Sequence, residues 1–100
     1  MVKYKDIITY ELAPGISKEH MLSVAKHIVE HWMQNQPGFV KWEIHANDDG
    51  SFTDIVHWKS KLEAKKAEAN MKNIPNASDW YSCYKEGSVT SKNLTAIATF

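Results

Sequence analysis

The sequence predicts one α+β domain in which the elements follow the order β-α-β-β-α-β. Two segments carry apolar residues at helical spacing, and four segments rich in β-branched and aromatic residues alternate with them. The chain has 100 residues, the length of a single domain, so residues 1–100 are expected to form one domain. Hydrophobic residues make up 43% of the chain and charged residues 24%, which is ordinary for a globular protein with one modest core.

The first part of the chain predicts a strand followed by a helix. Residues 4–12 are rich in β-branched and aromatic types, and Pro14 and Gly15 end this strand. Ser17 is the predicted N-cap of a helix that runs to about Gln34. The apolar residues of this helix share one stripe: Met21, Val24, Ala25, Ile28, Val29 and Trp32.

A β-hairpin is predicted in the middle of the chain. Its strands are residues 39–46 and 52–58, and the Asn-Asp-Asp-Gly segment between them favours a tight turn because these residues tolerate left-handed backbone. If residues 46 and 52 pair, the two faces separate by polarity, so the hydrophobic pattern selects this register. The predicted apolar face holds Val40, Trp42, Ile44, Phe52, Val56 and Trp58. The opposite face holds Lys41, Glu43, His45, Thr53, Ile55 and His57.

The last part of the chain predicts a helix and a strand. Residues 59–73 are rich in Ala, Lys and Glu and favour a helix that Pro75 stops. Residues 76–86 predict a short helical turn, and residues 89–100 predict the final strand. The resulting order is the ferredoxin-like arrangement, an antiparallel sheet with both helices on one face.

The second face of the predicted sheet has no cover within the chain. It is expected to carry Ile7, Phe39, Ile55 and Ile97 among polar residues. A domain of this size rarely leaves a partly apolar face bare, and the simplest cover is a second copy of the same sheet. The sequence therefore predicts a homodimer that forms through the open sheet face.

Composition excludes several classes of function. Twelve basic and twelve acidic residues cancel, so no electrostatic footprint for nucleic acid or an anionic membrane is visible. No apolar run approaches the ~20 residues of a membrane span, and the N-terminus lacks the apolar core of a signal peptide. The single cysteine, Cys83, fits a reducing compartment, so a cytoplasmic protein is expected. Gly-rich phosphate loops, nucleophile elbows and paired-cysteine motifs are absent from the sequence, and we predict neither a cofactor nor a metal.

Two short motifs carry a resemblance to a known family. The segment Pro37-Gly38-Phe39 and the segment VHWKSKLEA at residues 56–64 resemble the antibiotic biosynthesis monooxygenase family, in which Pro-Gly-Phe enters strand two and a Trp with a short polar run enters helix two. The element order matches over the whole chain. The resemblance implies the dimeric α+β barrel, in which two sheets pack face to face and each subunit keeps a pocket between its sheet and its helices.

The resemblance also implies a range of activities. Some members oxidise polycyclic aromatic substrates with O2 and no metal or organic cofactor, whereas others degrade haem, act on other small molecules or have no known activity. The haem-degrading branch uses a histidine after helix two as its ligand. No histidine follows His57 in this sequence, so haem binding of that type is not predicted.

Aromatic residues are the candidate lining of a ligand pocket. Four Trp and four Tyr suit a flat organic ligand, although the same residues also suit a core. The resemblance places the pocket between sheet and helices. Its predicted residues are Trp42, Trp58, Trp80 and Tyr84, with Tyr10 and His31 at the edge.

The sequence does not identify a catalytic residue. Asp54 is the one charge on the apolar hairpin face, and burial there would raise its pKa and suit it to act as a base. Its position near the hairpin tip instead favours a solvated carboxylate, which is the expectation we adopt. His27 and His31 are four residues apart on a helix, as in some metal sites, but no further ligands complete a site and solvated histidines are expected.

Two hypotheses for function follow. The first is a cofactor-independent monooxygenase, or a related small-molecule enzyme, that acts on an aromatic or hydrophobic substrate. The alternative is a non-catalytic dimer that binds a small ligand or serves a stress response. An open cavity between sheet and helices would support a ligand site, whereas a cavity filled by indole side chains would make the aromatics core.

Overall fold

Four antiparallel strands and three helices build the chain, which a computed structural model describes over residues 3–100. In chain order they are β1 (Tyr4–Tyr10), α1 (Lys18–His31), β2 (Phe39–Ala46), β3 (Phe52–Trp58), α2 (Lys61–Ala69), α3 (Ala77–Ser82) and β4 (Thr90–Thr95). The strands lie in the order β2-β3-β1-β4, and all neighbours are antiparallel. The predicted α+β fold with ferredoxin-like topology is confirmed.

Side-chain caps fix where the two long helices begin. The Ser17 hydroxyl accepts from the His20 N–H at 3.0 Å, as the sequence predicts for the start of α1. The Ser60 hydroxyl accepts from the Glu63 N–H at 3.2 Å and donates to the Glu63 carboxylate at 3.0 Å. This capping contact starts α2 at Lys61, two residues later than the composition suggests.

Both long helices end in a short 3-10 turn, which explains why they were predicted too long. The turns are Met33–Asn35 after α1 and Met71–Asn73 after α2. A 3-10 turn keeps apolar residues close to helical spacing, so the sequence pattern alone does not reveal the change.

The β2–β3 register is as predicted near the turn and shifts at the far end. Ala46 pairs with Phe52, but a bulge between Phe39 and Lys41 places Phe39 opposite Trp58. The extra residue reverses which face each side chain takes. Val40 is therefore 53% exposed on the open face, and Phe39 packs against the core with its ring 5.8 Å from that of Trp58. The sequence prediction for these two residues was wrong.

The first and last strands of the chain are shorter than predicted. β1 ends at Tyr10, and only an isolated bridge between Leu12 and Tyr84 follows it. β4 ends at Thr95, so Ile97 lies beyond the strand and is almost fully exposed rather than being part of the open face.

The core lies between the sheet and the helices. It is built from alternate residues of β1 and β3, such as Tyr4 and Val56, and from the predicted stripe of α1. α2 contributes only Ala64 and Ala67 as buried residues. The opposite face of the sheet carries Ile7 and Ile55, which pair across β1 and β3 and are half-buried.

Candidate ligand cavity

A cavity of about 360 Å³ opens between the sheet and the helices. This volume lies within the range of small-molecule sites, roughly 300–1,000 Å³. All four tryptophans of the sequence line it: Trp32, Trp42, Trp58 and Trp80. The 3-10 turn that follows α2 brings Met71 to the same wall, while Lys65 and Glu68 of α2 lie at its polar end.

The aromatic side chains pack against one another as well as against the cavity. Trp80 meets Trp42 and Tyr84 edge to face, in each case with 5.1 Å between ring centroids. Tyr10 lies behind them, 4.6 Å from the ring of Tyr84. These contacts hold the rings along the cavity wall, and the remaining volume of about 360 Å³ shows that the indoles do not fill the cavity.

The structure brings together five of the six residues predicted for the pocket. Trp42, Trp58, Trp80 and Tyr84 line the cavity, and Tyr10 is fully buried behind it. Their role in binding stays a prediction.

His31 does not reach the cavity. It is exposed, and its ring lies 4.3 Å from that of His27 on the outer side of α1. One residue advances a helix by ~100°, so the cavity-facing position falls to Trp32 and not to its neighbour. Trp32 belongs to the predicted apolar stripe of α1, but it was not predicted to line the pocket.

Asp54 is buried, contrary to the expectation of a solvated carboxylate. β3 lies between β1 and β2, and Asp54 pairs with Ile8 on one side and Ile44 on the other. Only 1% of the residue is exposed, and its Oδ1 accepts a hydrogen bond from the Tyr10 hydroxyl at 2.9 Å. Burial raises the pKa of Asp54 to about 7, although the Tyr10 and Trp42 donors and the nearby His45 oppose the rise.

Among the unpaired buried polar atoms of the cavity wall, which also include Trp32 Nε1, two complement each other. Asp54 Oδ2 and Trp42 Nε1 make no hydrogen bond. The Trp42 N–H is close enough to lower the pKa of Asp54, but it does not reach hydrogen-bonding geometry. A buried polar group without a partner costs roughly 1–3 kcal/mol, so the pair favours a ligand that satisfies both atoms.

A second carboxylate, Asp6, lines the other end of the cavity and is fully paired. Its Oδ2 accepts from Trp58 Nε1 at 3.1 Å. With its amide nitrogen turned toward acceptors, Asn93 donates to Asp6 Oδ1 at 2.8 Å and accepts from the Tyr4 hydroxyl at 3.0 Å. Burial raises the pKa of Asp6, and the Trp58 N–H and the charge of Lys65 oppose the rise. Asp6 thus holds the Trp58 indole in place.

A second hollow of about 520 Å³ lies on the open face of the sheet. Lysines surround it: Lys3, Lys5, Lys41 and Lys59. None of the buried unpaired polar atoms found among residues 3–100 lines it. It therefore lacks the built-in complementarity of the first cavity.

Residues 3–100 contain neither a metal-binding cluster nor a membrane-spanning helix. In that part of the chain no three His, Cys, Asp or Glu side chains are grouped to hold a metal ion. Nor is any helix there long and apolar enough to cross a membrane.

Comparison with known proteins identifies the fold. No protein-family model and no curated protein sequence matches the chain. A solved structure of a variant of SnoaB, a cofactor-independent oxygenase from Streptomyces nogalater, matches with a TM-score of 0.77 and 18% identity over 97% of this chain and 95% of that chain.

Two further solved structures share the fold. The monooxygenase from ActVA-Orf6 of Streptomyces coelicolor, in complex with nanaomycin D, gives a TM-score of 0.68 and 14% identity, with 99% of this chain and 91% of that chain covered. A structure named as an antibiotic biosynthesis monooxygenase gives a TM-score of 0.69 and 14% identity, with 95% of this chain and 99% of that chain covered. The predicted resemblance to this family is confirmed at the level of the fold.

Proposed function

We propose that the protein is a cofactor-independent monooxygenase that binds a flat aromatic or hydrophobic molecule in the cavity and oxidises it with O2. The observation that carries the proposal is the cavity itself, which four indoles line together with Asp54, a buried carboxyl group whose pKa is about 7. The fold shared with SnoaB and the ActVA-Orf6 monooxygenase supports it.

The chemistry needs a substrate that supplies its own electrons. An electron-rich hydroxyarene or its keto form loses a proton, and the resulting anion transfers electrons to O2. A CH2 group between two rings becomes a carbonyl, one oxygen atom enters the product and the other leaves as water. The oxidation of the substrate balances the reduction of O2, so no further reductant is required.

The cavity suits this reaction in two ways. Its aromatic walls orient a planar ring system and exclude water from the anion. A carboxyl group with a pKa of about 7 exchanges protons near neutral pH, where a general base is most effective.

We also propose that two copies associate through the open sheet face. Ile7 and Ile55 form its apolar centre and are only half-buried in the single chain. Glu43 lies toward one edge, where it bonds His57 at 2.9 Å and lies 3.4 Å from Lys41. An apolar centre with a charged rim is the usual organisation of an interface, and the resemblance to dimeric proteins favours a second copy as the occupant.

Oxygen consumption with anthrone tests the proposed activity. Anthrone is a three-ring ketone whose enol is a phenol and whose CH2 group is flanked by two rings. The purified protein in the presence of a chelator should consume one O2 for each anthraquinone formed, faster than buffer alone. Binding of anthrone without faster oxygen consumption would reject the enzyme and support the non-catalytic binder.

A pair of variants ties the activity to the cavity. Met71→Trp adds an indole to the cavity wall, whereas Leu62→Trp adds the same group at a position of α2 that is 65% exposed. We expect the first variant to lose at least tenfold in anthrone affinity and the second to behave as wild type. Equal behaviour of the two would place the reaction outside this cavity.

A further inference from the structure

We infer that Asp54 Oδ2 and Trp42 Nε1 together form a binding site for a hydroxyl group of the ligand, and that Asp54 accepts the proton of that hydroxyl. The inference rests on the proposed function, because it assumes that the substrate occupies this cavity. It adds the catalytic base and the chemical group by which the substrate is recognised.

The positions of the two side chains follow from the strand register. Trp42 pairs with Val56 and Asp54 pairs with Ile44, so both side chains leave the helix-facing side of the sheet from neighbouring strands. Such diagonal neighbours lie roughly 7–8 Å apart, a gap that a long indole spans in part. Both residues contribute to the cavity wall.

A hydroxyl group is a simple substituent that satisfies both unpaired atoms. It donates to Asp54 Oδ2 and accepts from Trp42 Nε1 at the same time. A ketone or an ether would satisfy Trp42 alone, and a hydrocarbon would satisfy neither. The cavity therefore discriminates between hydroxylated ligands and their methylated or deoxygenated analogues.

The proton transfer is balanced within the site. The proton moves from the ligand oxygen to Asp54 Oδ2, and the electron pair of the broken O–H bond stays on the ligand oxygen. Asp54 becomes neutral as the ligand becomes an anion, so the total charge of the cavity does not change. The Trp42 N–H then donates to the oxyanion, and the Tyr10 hydroxyl keeps its bond to Asp54 Oδ1.

Among the groups that face it, Asp54 is the one that accepts the ligand proton. Tyr10 from β1 and Tyr84 from the segment after α3 have pKa values raised by burial and by the Asp54 charge, so neither gives up its proton near neutral pH. His45 from β2 lies close enough to lower the pKa of Asp54. On the α1 side, the uncharged Met21 contacts Tyr10, the hydrogen-bond partner of Asp54. The charged residues Lys65 and Glu68 of α2 line the Asp6 end of the cavity.

Binding of two matched probes tests the hydroxyl site. 1-Naphthol carries the hydroxyl, and 1-methoxynaphthalene has the same rings without a donor. Binding is followed by tryptophan fluorescence at pH 8. The wild-type protein should bind 1-naphthol at least tenfold more tightly than 1-methoxynaphthalene, and this affinity ratio measures the hydroxyl preference. Trp42→Phe and Asp54→Asn should each bring this ratio close to one, whereas Trp32→Phe, which removes another unpaired indole N–H of the cavity, should leave it unchanged.

The hydroxyl preference should also depend on pH. Asp54 accepts best as a carboxylate, so the wild-type ratio should fall as the pH drops through about 7 and should be flat in Asp54→Asn. A wild-type ratio near one, or a ratio that Trp42→Phe leaves intact, would overturn the site even if the Asp54 variant were misfolded.

Anthrone turnover separates this inference from the proposed function. We expect Asp54→Asn to lower the rate about a hundredfold or more and to remove the rise in rate with pH around 7. If the variant oxidises anthrone as fast as wild type, the oxygenase stands and Asp54 is not its base. If the hydroxyl preference follows Asp54 and Trp42 but no oxygen is consumed, the binding site stands and the oxygenase does not.

Discussion

Replacing Asp54 with Asn should stabilise the folded protein at pH 8 and have little effect at pH 4. The pKa of the carboxyl group is 3.8 without the fold and about 7 within it, a rise of about three units that burial causes. Each unit corresponds to 1.36 kcal/mol, so ionising Asp54 in the folded protein costs about 4 kcal/mol. The amide introduced by the substitution has no charge to bury, and its oxygen still accepts the Tyr10 hydroxyl.

The sign of the pH dependence follows from proton binding. Between pH 3.8 and about 7 the folded protein holds a proton on Asp54 that the unfolded chain has lost. The free energy of unfolding contributed by this group is therefore complete below pH 3.8 and is lost as the pH rises through about 7. Asp6 contributes in the same direction, because burial also raises its pKa. Comparing the Asp54 variant with wild type at each pH cancels the contribution of Asp6.

Urea unfolding followed by circular dichroism from about pH 4 to 8.5 measures this difference. The gap in unfolding free energy between Asp54→Asn and wild type should widen by about 4 kcal/mol across the range. Asp48→Asn is the matched control, since it makes the same change on the exposed turn of the hairpin. A gap for Asp54→Asn that stays constant with pH would show that the carboxyl group is not buried as described.

Three further substitutions test the open sheet face, the aromatic packing at the cavity and the turn before β2. Ile55→Lys puts a charge at the centre of the open face and should give monomers in size-exclusion chromatography with light scattering, whereas Leu62→Lys on α2 should not; a monomeric wild type would contradict the dimer. Trp80→Ala should lower the urea-unfolding free energy by about 3–5 kcal/mol, because the indole is 94% buried against other rings; a loss below about 1 kcal/mol would contradict that packing. Gly38→Ala should destabilise more than Gly15→Ala in the same assay, since both have φ near +83° but only at Gly38 would a Cβ strike the Glu63 side chain; equal losses would argue against that contact.

The element order could be predicted because its determinants are local. Apolar spacing, the Ser17 cap and the Asn-Asp-Asp-Gly turn each act over a few residues, and the turn also fixes the pairing of Ala46 with Phe52. The bulge at Val40 could not be predicted in this way. It depends on the packing of Phe39 against Trp58, and one inserted residue reverses both faces.

The candidate site was predicted in its aromatic part and missed in its polar part. Trp42 and Trp58 each stand between two polar residues along a strand, so the sequence itself shows that they lie on the apolar face. The burial of Asp54 arises from the sheet order, which places β3 between two other strands, and from Tyr10, 44 positions away in sequence. The position of Asp54 on the apolar face of its strand indicated burial. Its closeness to the hairpin turn suggested exposure, and that expectation was wrong.

The two cavity carboxylates show why Asp54 rather than Asp6 is expected to react. Asp6 has donors on both oxygens and serves to hold Trp58, so a ligand gains little by approaching it. Asp54 has one donor, and its ionised form costs about 4 kcal/mol in a fold whose total stability is typically 5–15 kcal/mol. A ligand hydroxyl offsets part of that cost by donating to the free oxygen. Binding of 1-naphthol should therefore stabilise the protein more at pH 8 than at pH 5, whereas 1-methoxynaphthalene should stabilise it equally at both.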